Sequence, residues 1–221
     1  MNYVHEFRPS PYTAILLMEI EKACLSRRFN CAVDIGVGSG LFLAVLGKSG
    51  VGELWGTDIS PTALESSASL LAEVAPDSLV ELKLGDLWDP IPKEKRFDMI
   101  VANLPSFPAY VVPEGRPSTW AGGDGRATVS RFLRELPNRL TSDGVVLITH
   151  NDLTGMAETE RILSEVGMCC DTIFRWTVFE PPERINSVSE QVLADNGQTL
   201  RRYGGYAFVD SRILKIRFKA E

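Results

Sequence analysis

What the chain lacks narrows it first. Its 221 residues hold two histidines, His5 and His150, and four cysteines, Cys24, Cys31, Cys169 and Cys170. No two cysteines stand in a C-x-x-C spacing, so neither a redox motif nor a metal cluster is expected. The cysteines lie in or beside apolar runs and read as buried free thiols in a reducing compartment. No apolar run reaches the roughly 18 residues that a membrane span requires. The N-terminus shows no charged stretch followed by an apolar core and a cleavage site, so a cytoplasmic location is expected. Positive charge is in deficit: 23 Lys and Arg stand against 29 Asp and Glu, a formal net charge of -6. Broad phosphate-binding faces need clustered cations, so nucleic acid is disfavoured as a partner and no membrane partner is expected. The most basic stretch, Arg201 to Lys219, reads as a solvated strand and tail.

What remains is an ordinary globular chain. Hydrophobic residues make up 44% and charged residues 24%, enough apolar material for one core. Pro11 to Arg28 carries apolar residues at helical spacing, with Ser10 as cap and Pro11 at the first helical position. Cys31–Ile35, Glu53–Thr57, Leu79–Leu84, Asp98–Ala102 and Val145–Thr149 read as strands. Leu41–Lys48, the stretch from Pro61 to Val74, Ala127–Leu140 and Met156–Val166 read as helices. Residues 104–124, rich in proline and glycine, read as a long functional loop. Met168–Phe179 and Tyr206–Phe218 are β-like with no helix between them, which predicts an antiparallel pair at one edge. The alternation predicts an α/β fold with a mostly parallel sheet and helices on both faces. We read 1–221 as one domain. It comprises an N-terminal motif and helix (1–29), a core (30–180), an insertion in the final hairpin (181–205) and a last strand (206–221).

Val33-Asp34-Ile35-Gly36-Val37-Gly38-Ser39-Gly40 sits at the first strand-to-helix turn. Glycines there permit positive φ and close backbone approach to a ligand, and the helix start offers unpaired N–H groups. The spacing is G-x-G-x-G, where a dinucleotide fingerprint would be G-x-G-x-x-G. Asp34 would repel a pyrophosphate and suits a ligand with a cationic amino-acid end. Asp58 ends the second strand, where an acid hydrogen-bonds ribose hydroxyls. Gly85-Asp86-Leu87 ends the third, within reach of an adenine amine.

Asn103-Leu104-Pro105-Ser106 follows the fourth strand. An open α/β sheet builds its site where strands meet such loops. A planar amide or exocyclic amine is a poor nucleophile, so a site must hold both N–H groups and aim the nitrogen. The Asn103 side-chain oxygen and the Leu104 carbonyl can each accept one N–H, and Pro105 biases Leu104 towards an extended conformation. Ser106 stands where an aromatic would pack on a planar acceptor, and Phe107 or Tyr110 can supply that ring instead. His150 ends the fifth strand on the same sheet edge, either facing the substrate or bonded locally.

These residues together resemble the class I S-adenosylmethionine-dependent methyltransferases, over nearly the whole chain. Phe7-Arg8-Pro9-Ser10-Pro11-Tyr12-Thr13 and Thr119-Trp120-Ala121-Gly122-Gly123-Asp124-Gly125-Arg126 resemble flanking motifs of the HemK/PrmC glutamine methyltransferases, in their compact release-factor branch. The resemblance implies a Rossmann-like seven-stranded sheet with an antiparallel edge hairpin. It implies S-adenosyl-L-methionine as cofactor, S-adenosyl-L-homocysteine as product and no metal. By the same match Thr13, Asp34, Gly36, Gly38, Asp58 and Asp86 would touch the cofactor, and Gly40, Ile59, Leu87 and Asn103 are expected beside them. Asn103, Leu104 and Pro105 would hold the acceptor, with Ser106, Phe107, Tyr110 and His150 lining its side. The implied acceptor is a protein glutamine amide, with a small-metabolite nitrogen as the alternative. The compact branch also implies a small partner subunit on an edge of the sheet. A third reading is a catalytically idle cofactor-binding subunit.

Overall fold

The computed structural model describes residues 9–108 and 123–219. Phe7, Arg8, Tyr110 and residues 119–122 of the second flanking motif lie outside the described residues. Helix α1 (Pro11–Ser26) starts where the sequence places it. The Ser10 hydroxyl accepts the Thr13 N–H at 3.3 Å, and the Thr13 hydroxyl accepts the Ser10 N–H at 3.2 Å. This reciprocal cap satisfies two donors that a helix start leaves open.

Three units follow with short turns: β1 (Cys31–Ile35) and α2 (Leu41–Lys48), β2 (Glu53–Asp58) and α3 (Pro61–Val74), then β3 (Leu79–Leu84). Next come β4 (Phe97–Ala102), α4 (Ala127–Arg139), β5 (Leu140–Asn151), α5 (Met156–Glu165) and β6 (Met168–Glu180). The chain closes with α6 (Pro182–Asn186), α7 (Glu190–Asn196), β7 (Leu200–Tyr203) and β8 (Tyr206–Phe218). Strand order is β3-β2-β1-β4-β5-β8-β6, with β7 paired to β8. The first five strands of that order run parallel, and β8 is antiparallel to both β5 and β6. The expected edge hairpin is therefore present, with β6 outermost. The segment 181–205 adds two short helices and an eighth strand that its polarity concealed.

Side chains alternate across the sheet with period two. Ala32, Leu54, Met99, Val101, Val145, Leu147 and Ile213 face α1, α2 and α3. Val33, Ile35, Ile100, Val146, Ile148 and Leu214 face α4 and α5. A small third core joins Leu153, Ile185, Ala207 and Val209, with Phe107 packed against it. The four cysteines are free, and a correction to the buried thiols expected is that each is only partly buried. Partial burial still pushes the Cys31 thiol up to about 12 and that of Cys170 to about 11. Among the described residues no helix is long and apolar enough to cross a membrane.

Candidate active site at the carboxyl edge of the sheet

All five parallel strands end at one edge, and the turns after them gather there. The turn after β1 carries Gly36, Gly38 and Gly40 at φ of +80°, +50° and +80°. At Gly40 the reason for glycine is twofold. The backbone is left-handed, and a Cβ would come within 2.9 Å of the Ser67 backbone of α3. The Ser67 hydroxyl donates back to the Gly38 carbonyl at 3.1 Å, locking α3 against the turn.

Beneath this turn lies Asp34, fully buried. Among the described residues neither of its carboxylate oxygens has a hydrogen-bond partner. Burial, reinforced by the nearby Asp58 charge, pushes its carboxyl well above the ordinary range. Asp58 accepts the Gly38 N–H at 3.0 Å on one oxygen and the Ser60 N–H at 2.9 Å on the other. It thus ties the glycine turn to the start of α3 and keeps lone pairs on both oxygens. Ile59 beside it exposes its side chain. Asp86, after β3, is held at 2.7 Å by Arg131 of α4 in a half-exposed pair. Leu87 next to it is buried with φ +48°, a backbone conformation uncommon for a branched side chain.

Asn103 follows β4 in phase with Met99 and Val101, so it belongs to the α1 face, the same face as Asp34. Its side-chain oxygen accepts the Thr149 hydroxyl at 2.6 Å. Sequence reasoning missed Thr149. The signal was its phase: Val145, Leu147, Thr149 and Asn151 share one face of β5. Ser211 of β8 pairs with Asn151, and its hydroxyl lies 3.3 Å from that of Tyr12 on α1. A row of polar groups thus runs along this face under the first turn of α1, where Thr13 spends its hydroxyl on the helix cap.

His150 is the clearest correction. One residue from Thr149, it points through the opposite face, buried beside Thr159 of α5. Its Nε2 lies 3.0 Å from the Thr159 hydroxyl and 3.2 Å from that of Thr154. Burial lowers its pKa, holding the ring neutral. It therefore lines no acceptor surface. Beside it Asp152 is gripped by Arg212, whose Nε and Nη2 each donate at 2.7 Å, with Arg175 at 3.4 Å. Burial alone would raise the Asp152 carboxyl, but the hydrogen bonds and charge of Arg212 outweigh it and hold it at about 2.

The loop after Asn103 is fixed from the side. Gly125, at φ +76°, lies so close that a Cβ there would collide with the Ser106 carbonyl oxygen and crowd Thr154. Arg126 donates to the Thr154 carbonyl, to the Gly155 carbonyl at 3.0 Å and to the Thr159 hydroxyl at 3.2 Å. This explains the glycine and arginine that close the second flanking motif. Phe107 is a second correction. Its half-buried ring packs on the third core under the Arg184 guanidinium, 3.9 Å above the centroid, so these contacts and not a planar acceptor hold it. The Leu104 side chain covers Gly36, placing this loop directly over the glycine turn.

Comparison with known proteins agrees with this arrangement. A family profile described as a methyltransferase domain matches residues 32–114. A protein of Methanocaldococcus jannaschii, provisionally named a protein N5-glutamine methyltransferase, is 34% identical over 141 residues, 61% of this chain and 68% of that one. The release factor glutamine methyltransferase of Cereibacter sphaeroides is 29% identical over 161 residues, 67% of this chain but only 55% of that one. In fold, a ribosomal protein L11 methylase from Lactobacillus delbrueckii subsp. bulgaricus superposes with a TM-score of 0.57 at 19% identity, covering 94% of this chain and 79% of that one. A glycine turn over a buried acid, acids at the end of β2 and after β3, and an Asn-Leu-Pro stretch after β4 are thus carried on a fold and sequence shared with these enzymes, and the chain belongs to the class I S-adenosylmethionine-dependent methyltransferases of HemK/PrmC-like type.

Proposed function

We propose that the enzyme methylates a planar nitrogen, and that the acceptor is a glutamine side-chain amide of a protein. The observation that carries this reading is the state of Asn103. Its amide oxygen holds one hydrogen bond, from Thr149, and so keeps one lone pair for an incoming N–H. It shares a sheet face with the glycine turn, and Leu104 lies across that turn. The names of the relatives in Methanocaldococcus jannaschii and Cereibacter sphaeroides support the same acceptor class.

The cofactor half fits S-adenosylmethionine on the strength of Asp34, a buried carboxylate whose oxygens have no hydrogen-bond partner among the described residues. The cationic amino group of the methionyl end answers that need. The turn of Gly36, Gly38 and Gly40 lies over that acid, and Asp58 has lone pairs left for ribose hydroxyls. Ile59 offers an apolar flank, while Asp86 and Leu87 stand at the adenine end. When bound, the cofactor supplies an electrophilic methyl group on a cationic sulfur.

The chain's own work is positioning. Asn103 Oδ1 takes one N–H of the acceptor amide and the Leu104 carbonyl takes the other. Pro105 restricts Leu104 so that its carbonyl stays aimed. Such alignment can supply about 7–11 kcal/mol of barrier reduction. No strong base is needed, because the nitrogen's proton becomes acidic only after the methyl has arrived, and water can take it. The half-exposed Leu79 and Leu84 of edge strand β3 leave apolar surface that a small partner subunit would cover.

The test is transfer of labelled methyl to a release-factor-type protein and to the same protein with its acceptor Gln replaced by Glu. Label on the first alone is the expected result. Asn103→Ala should then lower kcat by about 10²–10³-fold, the usual loss of one fixed group at a developing charge. Its affinity for S-adenosylhomocysteine, by calorimetry, should stay within about 3-fold. Labelling of small amines but not of the protein would move the acceptor to the metabolite class.

A further inference from the structure

The hairpin β7–β8 projects beyond the rest of the sheet. β8 pairs with β5 only from Ser211 onward. Its first five residues, Tyr206 to Asp210, therefore overhang the carboxyl edge by roughly 16 Å at about 3.3 Å per residue. On that overhang β8 is flanked by β6, through Phe179↔Phe208, and by β7, through Tyr203↔Tyr206. Period two puts Phe179, Phe208, Tyr203 and Tyr206 on one face. Phe179 lies 5.7 Å from Phe208 and 6.1 Å from Tyr206, and Tyr203 lies 6.0 Å from Phe208. Tyr203 and Tyr206 are each 64% exposed and Phe179 47%. The opposite face of the same overhang is covered: Ala207 and Val209 pack with Ile185 and Leu153. A continuous strip of exposed rings on one side of a well-packed hairpin is not core, and it marks a contact surface.

We propose that this strip docks the polypeptide carrying the acceptor residue, an inference that rests on the protein-glutamine reading above. Two observations select the partner. The strip is joined to the acceptor loop: Phe107, four residues after Asn103, packs on Leu153, Ile185, Ala207 and Val209, the core that backs the strip. By phase with Arg212 the strip lies on the α4–α5 side of the overhang, so a polypeptide seated there reaches Asn103 by crossing the carboxyl edge beside Phe107. Exposed rings also suit single-stranded nucleic acid, but that needs free cations beside them. Here Arg201 is bound to Asp210 at 2.6 Å, and Arg212 and Arg175 are bound to Asp152. Arg202 belongs to the opposite face by its pairing with Ala207, so the strip's own face is apolar with its arginines paired, and on a chain of net charge -6 it fits peptide groups and aliphatic side chains.

The test compares a full-length release-factor-type protein with a glutamine tripeptide cut from it, which extends only about 10 Å and is shorter than the overhang. The combined variant Phe179→Ser, Tyr203→Ser, Tyr206→Ser should raise KM for the protein at least 10-fold. It should leave kcat, the KM for the peptide and S-adenosylhomocysteine affinity within about 2-fold. Tyr206→Ser alone, at the exposed tip, should give a smaller shift in the same direction, and Tyr206→Phe should restore most of it. Equal losses on protein and peptide would make the strip structural and overturn the inference. So would unchanged KM for the protein in both serine variants while the wild type methylates both substrates. Competition by single-stranded RNA that the triple variant abolishes would assign the strip to nucleic acid instead. A wild type that labels neither protein nor peptide would bring down the glutamine reading, and the docking surface with it.

Discussion

Two aspartates, Asp34 and Asp152, are both wholly removed from solvent at the same edge of one sheet, yet they live in opposite chemistry. Asp34 faces α1–α3 with no hydrogen-bond partner among the described residues and a carboxyl pushed far up. Asp152 lies on the other side with both oxygens held by arginine and a carboxyl held down at about 2. A folded chain leaves a buried polar group unpaired only where something else satisfies it. The contrast marks the α1 face as the side that handles ligand and the α4–α5 face as the side that holds the edge rigid. Asn103 with its spare lone pair belongs to the first face. His150, packed among threonines, belongs to the second.

The largest effect expected is on the second face. Asp152→Asn strips Arg212 of its counter-charge in a buried site, which costs about 3–5 kcal/mol. At about 2–4 °C per kcal/mol for a chain of this size, melting should fall by about 10 °C. The wild-type stabilisation has a defined pH window. With the folded carboxyl near 2 and an unfolded value near 3.9, it is fully present above about pH 4 and is lost as pH falls towards 2. The variant's deficit should therefore shrink in acid melts. Catalysis per folded molecule should stay within about 2-fold. A variant that melts like the wild type but has lost its activity would break the assignment of this face.

Asp34 should respond with the opposite sign. Its folded carboxyl lies above the unfolded value, so the wild type is relatively stable in acid and loses that advantage as pH rises. Asp34→Asn cannot ionise. Without ligand it should melt near the wild type at pH 5 and above it at pH 8, by several degrees if the relieved cost is about 1–2 kcal/mol. In the same melts the stabilisation that S-adenosylhomocysteine gives the wild type should be largely gone. If the ligand shift survives intact, Asp34 does not answer the cofactor's amino group.

The parts of this architecture that are local were legible in the sequence. Ser10-Pro11 and Ser60-Pro61 announce helix starts, and both cap bonds form. β-branched runs between them give the parallel strands, and the glycine turn falls where the first strand ends. Features settled by distant partners were not legible. The stretch 181–205 looks polar because its few apolar residues, Ile185, Leu193 and Leu200 among them, are spent on a small core completed by Phe107 and Val209. Phe107 follows the acceptor motif closely and so reads as an acceptor residue, but Arg184, remote in sequence, takes its ring. His150 was misplaced for a simpler reason: proximity at a strand end does not say which face a side chain takes, and phase does. Counting by twos from Leu147 leads to Thr149 and Asn151, not to His150.

Neighbouring residues on β5 separate the two faces most finely. Thr149→Val keeps the shape of the side chain and removes the hydroxyl that donates to Asn103. One neutral hydrogen bond is worth about 1 kcal/mol, so stability should change little. The effect should appear in turnover, because an Asn103 amide no longer pinned samples orientations that turn its oxygen from the acceptor. We expect kcat to fall by about 5–10-fold with the KM for S-adenosylmethionine unchanged, and Thr149→Ser to recover it. His150→Gln, one residue along, should leave kcat alone and lower the melting temperature, since it disturbs only the packing around Thr154 and Thr159. If the two variants exchange these signatures, the faces have been assigned the wrong way round; if both lower kcat alike, the edge acts as one unit and the division between ligand face and structural face fails.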